Sequence, residues 1–185
     1  EEILGASDLH NSNILNEATR LINCFLEVGL SKYNNFDPDL PAPDPGYVLV
    51  VDQTHGDASL RASGATEATF RAMLAQAKAD HPGARIVLRV HPETTLGLRP
   101  GHSGPADAGG PVSLLTAALS PHRLLKDAIA VYTVSSQLGF EAILHCHRPQ
   151  VFGQPFYAGW GLSQDRQPLP RRQRQAGFQQ QHAAG

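Results

Sequence analysis

The chain has 185 residues, of which 41% are hydrophobic and 17% charged, with a formal net charge of -2. That length admits one domain with a real core, the composition is that of an ordinary soluble protein, and the charge gives no general reason to expect nucleic acid as a partner. No apolar run approaches a membrane span or a signal peptide, and Cys24 and Cys146 are too far apart to imply a disulfide framework, which favours a reducing cytoplasm.

The chain opens at Glu1 and enters helical sequence almost at once, so it reads as a piece of a longer protein. Ile14, Ala18, Leu21, Ile22 and Phe25 recur at helical spacing, which predicts an amphipathic helix over residues 14–30. Pro38, Pro41, Pro43 and Pro45 then exclude regular structure, so residues 1–45 form a helix and Pro-rich linker ahead of a domain spanning 46–165. Tyr47–Val51 is a continuous apolar run, as in a strand buried on both faces, and ends at Asp52. Thr66 and Glu67 open a helix that puts Phe70, Met73, Leu74 and Ala77 on one face, and His81-Pro-Gly83 stops it.

Arg85–Val90 is the next strand, ended by His91-Pro92. Between Gly97 and Pro111 stand five Gly and three Pro residues, so this stretch is a loop. Residues 113–127 read as one or two short helices, Val131–Val134 as a strand, Ser136–His145 as a helix and Pro149–Phe152 as a last short strand. Strand and helix alternate throughout, which predicts an α/β fold: a Rossmann-like parallel sheet with flanking helices. Residues 166–185 form a basic, Gln-rich tail, and Arg171–Gly185 lacks core periodicity and is expected to be disordered.

Ligands of a doubly wound sheet bind beyond the carboxyl ends of its strands. Three such ends carry polar residues here: Asp52–Ser59, His91-Pro92-Glu93 and Thr133–Ser136. Together they supply a carboxylate, an imidazole and, where Ser135 and Ser136 lead into a helix, unpaired N–H groups and hydroxyls suited to phosphate. Each has a plainer alternative: Asp57 as a turn residue or helix cap, His91 as a strand terminator, the two serines as caps. Their common position at strand ends favours one crevice. Glu141, further along the same helix, can accept hydrogen bonds from ribose hydroxyls or can be a solvated helix position. The aromatic and glycine-rich run Phe152–Leu162 reads as a wall of that cleft. His145-Cys-His147 holds three residue types that ligate zinc, but consecutive helical positions diverge, and no metal is expected. With neither GxGxxG nor a P-loop present, NAD and ATP chemistry are disfavoured. Arg166, Arg171, Arg172 and Arg174 form either a solvated patch or a contact for an anionic lipid surface or a sugar acid. These observations point to a phosphorylated or nucleotide-linked small molecule.

Ser135–Ala142 together with Phe152–Asp165 resembles the strongest motif of the KpsC/LipA-type capsular polysaccharide synthesis proteins. The stretches Gly29–Asn34, Val51–Ser59 and Arg89–Glu93 and the Arg171-Arg172 pair agree, so the resemblance runs from the first helix to about Arg174. It implies a GT-B glycosyltransferase, with this chain mainly its carboxyl-terminal, nucleotide-binding half. The implied reaction is transfer of Kdo, an eight-carbon acidic sugar, from CMP-Kdo to a lipid-linked acceptor with retention of configuration. In the implied site Asp57 is the nucleophile beside the anomeric carbon, and His91 stabilises or protonates the departing phosphate. Gln53, Ser135, Ser136, Gln137, Glu141 and Tyr157 are the implied donor-binding residues, and no cofactor is implied beyond the donor itself. The implied setting is the cytoplasmic face of the inner membrane, as a peripheral protein, with a lipid-linked saccharide and other capsule assembly proteins as partners and no nucleic acid. Where relatives carry a glycine-containing turn after the Ser-Ser helix, this chain has His145-Cys-His-Arg148, and after Arg174 it diverges into Gln-Ala-Gly-Phe. The amino-terminal half of a GT-B enzyme is not in this sequence. Two other readings stay open: a truncated, non-catalytic remnant that binds nucleotide or partner proteins, and a GT-B-like nucleotide-sugar epimerase. The epimerase needs a second carboxylate flanking the sugar, and only Asp57 is placed for that.

Overall fold

The computed structural model describes residues 11–169 apart from Tyr33 and Pro38. The expected tail beyond Leu169, with Arg171, Arg172 and Arg174, lies outside the described residues.

Helix α1 (Ser12–Val28) is capped by Asn11, whose side chain accepts from the N–H groups of Asn13 and Ile14, and it stops at Gly29, where φ is 69°. None of its side chains is buried. After the proline-rich stretch come β1 (Tyr47–Val51), α2 (Ala58–Ala62) and α3 (Glu67–Asp80). They are followed by β2 (Ile86–Arg89), α4 (Pro92–Thr95), β3 (Val112–Leu115) and α5 (Pro121–Asp127). The chain then forms β4 (Ala128–Thr133), α6 (Leu138–Leu144), β5 (Gln150–Val151) and β6 (Gln164–Asp165).

The six strands form one sheet in the order β3-β2-β1-β4-β5-β6, and every pairing is parallel. This is the doubly wound Rossmann order, so the expected α/β fold is found. The side-chain period of two divides β1 between two cores. Val48 and Val50 face Phe70, Met73, Leu74 and Ala77 of α3, as the helix periodicity requires. Tyr47, Leu49 and Val51 face Leu124 and Leu125 of α5 and Leu138 and Ala142 of α6. Helices thus cover both faces, and all five β1 residues are buried.

The largest difference from expectation lies at residues 112–115. Val112–Leu115 is not helical but the edge strand β3, running beside β2 with Val112 opposite Ile86 and Leu115 opposite Arg89. Only Val112 of the four is buried, so the run lacks the continuous apolar character of β1. The helix expected here is confined to α5, which opens on Pro121 at its first turn, where a missing N–H costs nothing. The helix expected from Ser136 begins instead at Leu138, with Gln137 as its cap.

Candidate functional site

In a doubly wound sheet the ligand crevice opens where the strand order reverses, here between β1 and β4. A cavity of about 210 Å³ lies at that point. The segment after β1 lends it Asp52, Gln53, Asp57 and Ser59; the segment after β2, His91; the segment after β4, Ser135, Ser136 and Gln137; and α6, Glu141. The three strand ends converge as expected.

Asp57 caps α2: its Oδ1 accepts from the Ser59 N–H at 2.9 Å and the Ser59 hydroxyl at 2.8 Å. Its Oδ2 takes a 3.5 Å contact from the Gln53 amide. Burial pushes the Asp57 carboxyl up, but Ser59, Gln53 and the charge of Lys32 outweigh it and hold the group below the usual carboxylate range. At neutral pH it is an anion. The cap and the cavity-facing carboxylate are therefore one residue.

Gln53 ties the ends of β1 and β4 together. Its Oε1 accepts from the Ser135 N–H at 2.8 Å, and its Nε2 donates to the Ser59 hydroxyl at 3.3 Å. The Ser135 hydroxyl lies 3.2 Å from that of Ser59. Since Ser59 donates its single proton to Asp57, it accepts from both Gln53 and Ser135. Ser136 Oγ accepts from the Leu138 N–H at 3.3 Å. The N–H groups of Ser135 and Ser136, expected to be unpaired, are instead taken by Gln53 Oε1 and by Thr133 Oγ1 at 3.2 Å, which leaves the hydroxyls rather than the N–H groups for a phosphate. Gln137 is exposed on the cavity rim.

His91 caps α4, with Nδ1 accepting from the Glu93 N–H at 3.2 Å. That bond puts the ring proton on Nε2. Burial lowers the imidazole pKa, and Lys32 and Arg89 add to the effect against Glu93 and Asp57, so the ring is neutral at neutral pH. Asp52 is buried, and burial pushes its carboxyl up to about 6 against hydrogen bonds from Gln53, Ser103 and His102. Its oxygens hold the 97–111 loop through the N–H groups of His102 (3.2 Å) and Ser103 (3.3 Å). A side chain at Gly101 would collide with it.

Two expected donor residues have prior commitments. The Glu141 carboxylate is buried and accepts from the Ser31 hydroxyl at 2.9 Å and the Lys32 N–H at 3.3 Å, fixing the segment that follows α1. Tyr157 does not reach the cavity. It is 3% exposed, and its hydroxyl donates to the Ser136 carbonyl at 2.7 Å. That approach runs over Gly139, where any Cβ would meet the tyrosine ring. Of the Phe152–Leu162 run only Phe156 stands on the cavity wall, while Trp160 is buried with its indole N–H on the Phe156 carbonyl at 2.9 Å.

Ser31, Lys32, Arg89 and Phe156 line the cavity without having been singled out from the sequence. The motif Gly29–Asn34 held the signal for the first two, but nothing in its spacing assigned them a role. His145 and His147 are engaged elsewhere: His145 Nε2 lies 2.8 Å from His122 Nδ1, and His147 Nε2 bonds the Leu125 carbonyl at 2.7 Å. Among the described residues no group of three or more His, Cys, Asp or Glu is arranged to hold a metal ion. Among them, too, no helix is long and apolar enough to cross a membrane.

The chain is similar to several known proteins. The chain is 38% identical over 175 residues to the capsule polysaccharide modification protein LipA of Neisseria meningitidis serogroup B, covering 91% of this chain and 25% of LipA. It is 36% identical over 178 residues to the lipopolysaccharide-processing protein LpsZ of Rhizobium meliloti, covering 94% of this chain and 40% of LpsZ. The chain thus spans well under half the length of these relatives. Among solved structures it superposes on the KpsC beta Kdo 2,4 transferase of Thermosulfurimonas dismutans with a TM-score of 0.82 at 35% identity, over 92% of this chain and 54% of that one. The beta Kdo 2,7 transferase of the same organism's KpsC matches with a TM-score of 0.70 at 26% identity, over 96% of this chain and 54% of that one. The family described as capsule polysaccharide biosynthesis protein matches residues 31–184, and the chain belongs to that family.

Proposed function

We propose that this chain is the donor-binding part of a retaining glycosyltransferase that moves Kdo from CMP-Kdo to a lipid-linked acceptor in capsule polysaccharide synthesis. The observation that carries the reading is the meeting of an ionised Asp57, a neutral His91 and the Ser135-Ser136 turn in one cavity at the strand-order reversal. The similarity to two Kdo transferases supports the sugar, and family membership supports the process. The acceptor places the working protein peripherally at the cytoplasmic face of the membrane.

In this proposal the donor phosphate sits on the Ser136 side of the cavity, and His91 donates Nε2–H to it. An Asp57 oxygen attacks the anomeric carbon, and the C–O bond to phosphate breaks with its electron pair leaving on CMP. A neutral imidazole N–H suits this step, because the departing phosphate leaves as an anion and needs a hydrogen-bond donor more than a proton. The acceptor hydroxyl then attacks the same carbon, its proton passing to a base, and the Asp57 carboxylate is released. Two inversions give retention. Glu141 retains acceptor capacity for a ribose hydroxyl beside its bonds to Ser31 and Lys32. Gln53, on the cavity wall, positions Ser135 and Asp57, and Tyr157, outside the cavity, positions the Ser136 carbonyl.

The test is a thermal-shift comparison of nucleotides. A ligand that binds only the folded state stabilises it by about 2.7 kcal/mol at a hundred times its dissociation constant. CMP and CMP-Kdo should raise the midpoint, and UDP and NAD should not. Equal shifts with UDP, or none with any nucleotide, would remove the donor assignment.

A further inference from the structure

A second, more open cavity of about 320 Å³ adjoins the first and shares Lys32, Asp57 and His91 with it. Its other charged lining is Arg61 from α2, Arg99 from the loop after α4, and Glu93. Arg99 is fixed there by Glu93 at 3.4 Å and by donation to the His55 carbonyl at 2.8 Å. Asp57 therefore stands between a cavity that holds the Ser135-Ser136 hydroxyls with one guanidinium group, Arg89, and a cavity that holds two, Arg61 and Arg99. The first suits phosphate, and the second contains no hydroxyl turn comparable to Ser135-Ser136.

The chemistry of an acidic 2-keto sugar gives this asymmetry a use. Its anomeric carbon carries the sugar's own carboxylate, one carbon–carbon bond of about 1.5 Å away. A carboxylate nucleophile approaching that carbon meets a second carboxylate at close range, and the repulsion opposes attack unless cations face the substrate group. With the departing phosphate assigned to the first cavity, the sugar acid's carboxylate has the second cavity open to it. We propose that Arg61, Arg99 and Lys32 form a subsite for the carboxylate of the donor sugar, and that it selects acidic sugars. This rests on the CMP-Kdo reading above. Lys32, on the boundary of the two cavities, faces the phosphate and the carboxylate together, and Glu141 holds its backbone in place.

Calorimetric titrations of CMP and CMP-Kdo into the wild-type chain, Arg61→Gln and the Arg61→Gln, Arg99→Gln double variant test the subsite. Arg61 is exposed on a short helix, so its loss does not threaten the fold. CMP affinity should stay within about twofold in both variants, while CMP-Kdo affinity falls roughly tenfold to a hundredfold, as expected for a lost charge-assisted hydrogen bond. Unchanged CMP-Kdo affinity in both variants would overturn the subsite, and so would an equal loss for both ligands, which would assign the guanidinium groups to the phosphate. A wild-type chain that binds neither ligand would instead overturn the donor reading on which the subsite rests.

Discussion

Asp57 combines two tasks that the sequence presented as alternatives. One oxygen caps α2 through Ser59, and the resulting hydrogen bonds keep the carboxyl ionised despite its partial burial. The other oxygen takes the long 3.5 Å contact from Gln53. Asp57→Asn keeps the shape and most of the cap while removing the charge. In a Kdo-transfer assay of a protein carrying this domain, turnover should fall by several orders of magnitude while CMP affinity survives. His91→Ala should weaken both, because its Nε2–H is assigned to the phosphate before and during transfer. Near-normal turnover of Asp57→Asn would leave Asp57 as a cap alone. From the sequence, the meeting of Asp57, His91 and the serines in one cavity was legible because polar residues at the ends of apolar strands are conspicuous. Lys32 and Ser31 were not, because they reach the cavity from a non-repetitive segment far away in the chain, held by Glu141 across 109 and 110 positions. Tyr157, expected to touch the donor, is buried and does not line the cavity. Its hydroxyl is spent on the Ser136 carbonyl, a contact that no periodicity reveals.

At the scale of elements, the site depends on the ends of β1 and β4 staying in register, and Gln53 is the clamp. Gln53→Leu matches the bulk closely but leaves the buried Ser135 N–H without its acceptor, which costs about 1–3 kcal/mol. Chemical denaturation should show that loss, and CMP affinity should fall with it as the Ser135-Ser136 turn loosens. A variant as stable as the wild type would show that the clamp is incidental. The buried strands and α3 were legible because their patterns admit one reading: β1 is apolar throughout, and α3 repeats at 3.6 residues. Strand β3 was misread because Val-Ser-Leu-Leu, with one buried, one exposed and two partly exposed residues, fits a helix turn as well as a strand. The edge of β2 decided between them by offering hydrogen-bond partners that local sequence does not display. The start of α6 moved from Ser136 to Leu138 for a related reason. The Gln53 side chain and the Thr133 hydroxyl take the N–H groups of Ser135 and Ser136, so the turn is held by long-range and local side chains before the helix begins.

For the whole molecule, the strand order places every proposed donor contact at one mouth of the sheet, and the two cavities meet there across Asp57 and His91. The resemblance seen in the motifs agrees with the family match and with the superposition on Kdo transferases. The amide spectrum of the isotope-labelled chain, followed during titration with CMP, tests most directly whether this mouth is the nucleotide site. The account predicts saturable shifts at Gln53, Asp57, His91, Ser135 and Ser136, with His122 and His145, which line neither cavity, unmoved. Saturable shifts centred elsewhere, or a spectrum that CMP leaves unchanged at these five amides, would contradict it.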